Sequence, residues 1–190
     1  PHAGGIQVPC IVHWPAGLAH QAGTIRRQYA HCIDLLPTVL ELAGLSAPTQ
    51  YRGNDLLPFD GISLAPVLAD DSHPTLRTEQ YYENEGHRGF YRDGWEVVTN
   101  RIPRRPFGDH EWELYHLDAD PTETRDLAAE HPELVSALSQ GWHEAAVRNN
   151  VYPLDEGSGW RWLVRPPADD VFHEPVTIRS EEHTSELQSH

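Results

Sequence analysis

The histidines, cysteines and carboxylates of this chain are the side chains that could bind a metal ion or act as nucleophiles. There are 13 histidines among 190 residues, and none stands in a His-Glu-x-x-His pattern or another metal-ligand spacing. Cys10 and Cys32 form no metal or redox spacing, and their apolar neighbours favour packing over a disulfide. Asp118, Asp120 and Glu123 resemble a calcium loop only superficially, because its glycine and spacing are missing. Turn formation and helix capping explain these carboxylates better.

A polar cluster at residues 83–88 is a position where a pocket could form. Glu83 and His87 lie where the chain leaves one predicted strand for the next, and polar residues at a strand end can face a pocket. We therefore take Glu83 and His87 as candidate substrate-pocket residues. A solvated turn is the competing interpretation of the same cluster.

The charge of the chain argues against some classes of partner. The formal net charge is −15, and all 14 basic residues are arginine. Such acidity argues against nucleic-acid binding, and the absence of lysine removes any lysine nucleophile or phosphate clamp. No apolar run approaches the roughly 18 residues that span a bilayer, so we expect no membrane partner.

The apolar pattern at the start of the chain predicts elements of a large α/β core. Residues 6–14 form a nearly continuous apolar run, which is typical of a strand buried on both faces of a parallel sheet. Residues 34–44 then show a helical pattern, with Asp34 as the cap, Pro37 in the first turn and Gly44 at the end.

The second half of the chain predicts a small antiparallel sheet covered by a helix. The strand-like segments are residues 79–83, 89–92, 95–99 and 112–117. Asp93 and Gly94 form a tight hairpin turn between the second and third of them. Residues 131–148 follow as an amphipathic helix. A sheet with one covering helix makes a second, smaller layer.

These segments resemble, in order and spacing, the carboxy-terminal half of type I sulfatases, especially bacterial arylsulfatases. The resemblance begins with the glycine pair Gly4-Gly5 and the apolar run that follows it, and it continues through the helix that ends at Gly44. We expect the glycine pair to allow close backbone packing or a positive φ rather than to bind a ligand. Three later motifs extend it to about residue 155. They are Gly89-Phe90-Tyr91-Arg92-Asp93-Gly94-Trp95, Trp112-Glu113-Leu114-Tyr115-His116-Leu117 and Asp120-Pro121-Thr122-Glu123.

The resemblance implies an α/β fold, namely the carboxy-terminal part of an alkaline phosphatase-like fold with a small antiparallel sheet and helix subdomain. Residues 1–78 would belong to the α/β core, residues 79–155 to the small subdomain and residues 156–178 to a terminal extension. The chain has no methionine and begins at Pro1, so we expect it to be a fragment of a longer protein. We expect residues 179–190 to be the translation of a common sequencing-library adapter, disordered and without function.

The resemblance also implies where the chemistry of the parent enzyme lies. Type I sulfatases use a formylglycine made from a Cys-x-Pro-x-Arg type motif and a divalent ion, usually calcium, held by hard oxygen ligands. Neither cysteine fits that motif, and the last active-site lysine of the family would fall just before Pro1. We therefore expect no catalytic residue and no metal ligand in this chain, no cofactor bound by the fragment, and calcium in the parent. His2 could line the rim of the sulfate pocket; an ordinary loop histidine is the alternative.

Three functions follow from this sequence. The first is a fragment of an arylsulfatase, which hydrolyses small-molecule sulfate esters to an alcohol or phenol and sulfate, and the fragment alone would be inactive. The second is a fragment of a phosphonate or phosphate ester hydrolase of the same superfamily. The third is a non-catalytic structural module, against which the apolar run at residues 6–14 argues.

Overall fold

The computed structural model describes residues 2–21, 23–100 and 112–154, together with the backbone of residues 177–179 and 184–186. The α-helices are α1 (Ala3–Ile6), α2 (Pro15–Leu18), α3 (Leu35–Leu42), α4 (Ala65–Ala69) and α5 (Pro132–Arg148), with 3₁₀ turns at Ala19–Gln21 and Cys32–Asp34. The strands are β1 (Gln50–Tyr51), β2 (Asn54–Asp55), β3 (Glu79–Asn84), β4 (His87–Arg92), β5 (Trp95–Thr99), β6 (Glu113–His116), β7 (Thr177–Arg179) and β8 (Thr184–Glu186).

The main sheet is a four-stranded antiparallel meander in the order β3-β4-β5-β6. Two-residue turns join its first three strands, and both residues of the Asp93-Gly94 turn have positive φ, at 49° and 84°. Positive φ at both central residues defines a type I′ turn, which glycine at the second position favours. The twist of this turn matches the twist of the two strands that it joins. The small antiparallel sheet that the sequence predicts is therefore confirmed, with strand ends that differ from the prediction by one or two residues.

Helix α5 packs across one face of this sheet and encloses the main apolar core. Trp142 is fully buried at the centre of that core, and its indole Nε1–H donates to the Tyr82 carbonyl at 2.8 Å. The guanidinium of Arg88 lies over the Trp112 ring at 4.9 Å. The other buried members of the core are Phe90, Val97, Leu114, Leu138, Ala145 and Ala146. The structure thus confirms the predicted apolar face of the helix.

The predicted helix at residues 34–44 is also present, although Asp34 does not cap it. Helix α3 covers Leu35–Leu42, and Gly44, two residues beyond its end, has a φ of +68°. The side chain of Asp34 makes no capping bond to α3, because its carboxylate is directed at groups distant in sequence. It does take part in a capping box with His31 at the preceding 3₁₀ turn.

The predicted strand at residues 6–14 is wrong. Helix α1 ends at Ile6, and no strand covers residues 7–14. Val8 is 79% exposed and Ile11 is 91% exposed. A parallel strand is held by hydrogen bonds to neighbouring strands, and the described residues supply none for this segment. The apolar run therefore lies on the surface.

Two smaller predictions also fail in this first region. Gly4 and Gly5 approach no other backbone, since a Cβ at either position would have no atom within 4 Å. Their φ values are not positive either, so the pair meets neither need that the sequence suggested for glycine. Cys10 and Cys32 are free thiols with exposed side chains, so neither is packed.

The last described segments lie apart from the sheet in sequence. β7 and β8 form a short antiparallel pair in which Thr177 faces Glu186. The sequence predicted disorder over residues 179–190, and this pair overlaps that range. The predicted extension at 156–178 lies mostly outside the described residues. None of the described helices is long and apolar enough to cross a bilayer.

Candidate functional site

The face of the main sheet opposite α5 carries polar and aromatic side chains. Because side chains alternate along a strand, the strand register places several of them in rows across the sheet. Gln80, Tyr91, Glu96 and Tyr115 form one row, and Tyr82, Gly89, Val98 and Glu113 form the next. We call the surface made by these two rows the polar face.

A buried ion pair lies at the β3 edge of the polar face. Arg77 and Asp34 are 7% and 0% exposed, and Arg77 Nε donates to Asp34 Oδ2 at 3.0 Å. Arg77 Nη2 also donates to Asp34 Oδ1, so the pair is bidentate. Nη1 donates to Gln80 Oε1 at 3.0 Å, and Nη2 to the Asp60 carbonyl at 3.1 Å. This bidentate geometry joins the α3 region to the sheet.

The carboxylate of Asp34 is fully satisfied although it is buried. It accepts the backbone N–H groups of Ile62 at 2.7 Å and His31 at 2.8 Å, in addition to Arg77. Burial alone would raise the pKa of Asp34, but the hydrogen bonds from Arg77, Ile62 and His31 outweigh it and hold that pKa below its usual value. The hydrogen bond to Asp34 in turn raises the pKa of Arg77.

Tyr29 packs on the middle of the polar face. Its ring stacks on that of Tyr91 with centroids 3.7 Å apart and planes inclined by 2°, and its hydroxyl is hydrogen-bonded to that of Tyr82. Burial raises the pKa of both phenols, that of Tyr82 to about 12. Both hydroxyls are therefore protonated at neutral pH and serve as hydrogen-bonding groups.

Two carboxylates hold the start of the chain against the β6 edge. His2 Nε2 lies 2.7 Å from Glu113 Oε2, and its ring meets that of Tyr115 edge-on at 5.9 Å. The Tyr115 hydroxyl donates to the same Glu113 oxygen at 2.9 Å. The backbone N–H of Ala3 donates to Glu123 Oε2 at 2.8 Å. These contacts fix the orientation of the His2 ring.

Glu96 lies between Tyr91 and Tyr115 in the first row of the polar face. It is 0% exposed, and neither carboxylate oxygen has a hydrogen-bond partner among the described residues. Burial raises its pKa to about 8, and the nearby carboxylate of Glu123 adds to this increase. The side chain is thus a neutral acid at pH 7.

The structure does not bring the three predicted pocket residues together. His2 contacts β6, whereas Glu83 lies on β3, which is the opposite edge strand of the sheet. Glu83 is exposed, and its Oε1 accepts the N–H of Gly86 within the turn. His87 is half-buried at the other side of that turn. Two open depressions of the described surface are lined by other residues, such as Gln28 and Arg148.

The described residues do not fit a calcium site. No group of three or more histidine, cysteine, aspartate or glutamate side chains comes together within residues 2–21, 23–100 and 112–154. The carboxylate of Asp120, which resembled part of a calcium loop, accepts the N–H groups of Thr124 and Arg125 at 2.7 and 2.9 Å. It acts as a turn-forming group, as the sequence indicated.

Sequence reasoning missed the residues that organise the polar face. The sequence pattern marked Asp34 as a helix cap and gave no role to Tyr29, Arg77 or Glu96. Glu96 stands in a strand next to Trp95, where alternation indicates a solvent-facing position. The one unusual feature of Glu96 is that a tyrosine lies beside it on each neighbouring strand. This feature can be recognised only when the strand register is known.

Comparison with known proteins gives a consistent result. The family model described as N-sulphoglucosamine sulphohydrolase, C-terminal, matches residues 2–146. An uncharacterized sulfatase of Schizosaccharomyces pombe is 28% identical over 144 residues, covering 73% of this chain and 24% of that protein. A multifunctional alkaline phosphatase superfamily protein of Trinickia caryophylli is 26% identical over 151 residues, covering 78% of this chain and 28% of that protein. The chain thus spans about a quarter of the length of these relatives.

A solved structure shows the same fold. The crystal structure of Ps i-CgsB superimposes with a TM-score of 0.54, covering 85% of this chain and 34% of that one at 16% identity. Identity at this level supports the fold and nothing finer.

Proposed function

The chain belongs to the family of N-sulphoglucosamine sulphohydrolase carboxy-terminal regions, and from this membership we propose that it is part of an arylsulfatase. Such an enzyme hydrolyses organic sulfate esters to an alcohol or phenol and sulfate. The observation that carries the proposal is the match over residues 2–146, which includes the polar face, the main sheet and almost all of α5. The substrate class is therefore a small-molecule sulfate ester.

An apolar surface in the first half of the chain supports a place within a larger protein. Ile11, Val39 and Leu57 are 91%, 61% and 89% exposed. Further exposed apolar residues of this region are Val8, Val12, Leu35, Leu36, Leu45 and Phe59. Monomeric proteins rarely leave so many large apolar side chains exposed in one region. We assign this surface to contact with the remaining three quarters of the parent protein.

Catalysis in this proposal depends on residues outside the chain. Because the described side chains do not fit a calcium site, we assign the calcium ligands and the formylglycine nucleophile to the rest of the parent. The contribution of this chain is to present His2 at the rim of the sulfate pocket. Glu113 and Tyr115 hold its ring in one orientation. Glu83 lies on the opposite edge strand and His87 follows it across the turn, so we propose these two residues as candidates for a substrate contact separate from that of His2.

The second candidate is a phosphonate or phosphate ester hydrolase. The similarity to an alkaline phosphatase superfamily protein of Trinickia caryophylli is the observation that favours it. The two candidates differ in the nucleophile, which we assign to the part of the parent outside this chain. A non-catalytic module is disfavoured by the exposed apolar surface, because an independent module would bury it or replace it with polar residues.

We expect the purified 190-residue chain to release no product from para-nitrophenyl sulfate, with or without added calcium. The reason is that no nucleophile motif and no cluster of metal ligands is present among its described residues. The measurement is nitrophenolate release, with para-nitrophenyl phosphate as a parallel substrate and buffer as the control. Calcium-dependent turnover of the sulfate ester would show that the chain carries a complete site. Turnover of the phosphate ester alone would contradict the sulfatase assignment and would show that the chain carries its own nucleophile.

A further inference from the structure

Glu96 is the one fully buried carboxylate of the polar face without a partner among the described residues. Its neighbours across the strands are Tyr91 and Tyr115. Both phenols use their hydroxyls elsewhere, since Tyr115 donates to Glu113 and Tyr91 bonds the backbone of Gly94. Glu96 thus lies between two tyrosines in its row and has no hydrogen-bond donor among the described residues.

An ionised carboxylate in such a place would carry a large desolvation cost, so the group stays protonated while it is covered. Its pKa of about 8 reflects burial first and then the charge of Glu123. The other titratable groups near Glu96 are Tyr29, Tyr82, Tyr91 and Tyr115.

Groups from the first 29 residues pack on the polar face around Glu96. Ala3 is 1% exposed and bonds Glu123 through its N–H, while Tyr29 stacks on Tyr91. We call His2, Ala3 and Tyr29 the cover. Between its two ends lie residues 7–14, which pair with no strand. The end of the cover at His2 and Ala3 therefore rests on few contacts. The chain beside Tyr29 is anchored more firmly, because Arg26 and Gln28 donate to backbone carbonyls of residues 67–73. No cover residue belongs to the core under α5.

Glu123 is a second carboxylate with a raised pKa, and it contacts the cover directly. Its Oε2 accepts the Ala3 N–H, while its Oε1 is buried and has no hydrogen-bond partner among the described residues. Burial raises the pKa of Glu123, the hydrogen bond from Ala3 and the nearby His2 lower it, and the net result is a raised pKa. Detachment of the cover would hydrate both carboxylates together.

We propose that docking of the cover onto the polar face is coupled to protonation of Glu96, so that a rise in pH releases the cover while the face packed on α5 stays intact. We call this pH-dependent docking of the cover on Glu96 the latch. It is built from the chain's own residues and does not rest on the sulfatase assignment. It would make access to the polar face, and the position of His2, dependent on pH.

The sign of the effect follows from proton linkage. Glu96 has a pKa of about 8 when covered and 4.5 when solvated, so the docked state binds one more proton between these values. The stability of docking is complete below about pH 4.5 and is lost as the pH rises towards 8. The opening constant should increase by up to about tenfold per pH unit in this window and then level off. Glu123 acts with the same sign.

Hydrogen exchange of the full chain, followed by mass spectrometry, tests the latch. We expect amides of residues 2–31 to exchange at least about tenfold faster at pH 9 than at pH 6, after correction for the intrinsic exchange rate. Amides of α5 should keep their protection at both pH values. In Glu96→Gln the difference between the two pH values should shrink to less than about threefold, since the buried group no longer titrates.

Glu83→Gln is the matched control. It neutralises a carboxylate of the same sheet that is exposed, and the new amide oxygen can still accept the Gly86 N–H. This variant should keep the pH response of the wild type. Glu96→Met replaces the acid with an apolar group of similar length and serves as a second variant in case the buried amide of Glu96→Gln impairs folding. Its pH response should be reduced to the same extent. Protection of residues 2–31 that is independent of pH in the wild type would overturn the proposal, as would an unchanged pH response in both Glu96 variants.

Discussion

Replacing Asp34 with alanine is expected to lower the free energy of unfolding by about 3–5 kcal/mol. The substitution leaves the guanidinium of Arg77 buried without its counter-charge, while Ile62 and His31 lose the acceptor of their N–H groups. Breaking a buried pair by removing one partner is costly for this reason. Urea unfolding at pH 7, followed by tryptophan fluorescence, measures the loss.

The exposed pair of Glu79 and Arg92 provides the control. Their side chains are 43% and 37% exposed and lie 3.0 Å apart. Glu79→Gln should cost less than about 1 kcal/mol, because water screens exposed pairs. A cost for Asp34→Ala no larger than this would show that the Asp34–Arg77 pair does not join α3 to the sheet.

The pH dependence of the Asp34 variant follows from the same contacts. The pKa of Asp34 is held below 3.8 in the folded protein, so its contribution to stability is present above the unfolded value. That contribution is lost as the pH falls from about 4 through the folded pKa. We expect Asp34→Ala to lose less stability than the wild type between pH 5 and pH 2, in the same urea experiment.

Replacing Trp142 with alanine is expected to lower the free energy of unfolding by about 3–5 kcal/mol. The side chain is 0% exposed, contacts the Trp112 ring and donates to the Tyr82 carbonyl. Its removal leaves a cavity between α5 and the sheet and takes away the hydrogen bond from the indole to the Tyr82 carbonyl. The midpoint of urea unfolding, followed by far-ultraviolet circular dichroism, measures the effect.

Val147→Ala is the matched control on the same helix. Val147 is 68% exposed, so its truncation should change the free energy of unfolding by no more than about 0.5 kcal/mol. Trp142→Phe should fall between the two, because the ring still fills part of the space but the N–H bond is lost. Equal effects of Trp142→Ala and Val147→Ala would contradict the packing of α5 on the sheet.

The small sheet and its helix were predictable because their signals are local. An Asp-Gly turn between alternating strands requires positive φ at both positions, and Asp93 and Gly94 meet that requirement. The spacing of Leu138, Trp142 and Ala145 likewise defines one face of a helix without reference to other segments. Such patterns constrain a fold even when the partner that they pack against is unknown.

The polar face was not predictable because its contacts join residues far apart in the sequence. Asp34 meets Arg77 across 43 positions, and Ala3 meets Glu123 across 120. A single sequence gives no signal for such pairs, and local reasoning assigns Asp34 to the cap of its own helix. The prediction of a strand at residues 6–14 failed because it relied on local composition alone. A buried strand was inferred from composition, whereas strand formation depends on neighbours that the described residues do not supply.

The most direct test of the account is the DNA sequence upstream of the codon for Pro1 in the source genome. The sulfatase assignment predicts that the reading frame continues upstream and encodes a Cys-x-Pro-x-Arg or Ser-x-Pro-x-Arg motif, with acidic metal ligands and a lysine just before Pro1. An upstream frame of full length that lacks this motif would contradict the assignment. A threonine or an unmodified serine nucleophile in another context would favour the phosphate or phosphonate ester hydrolase instead.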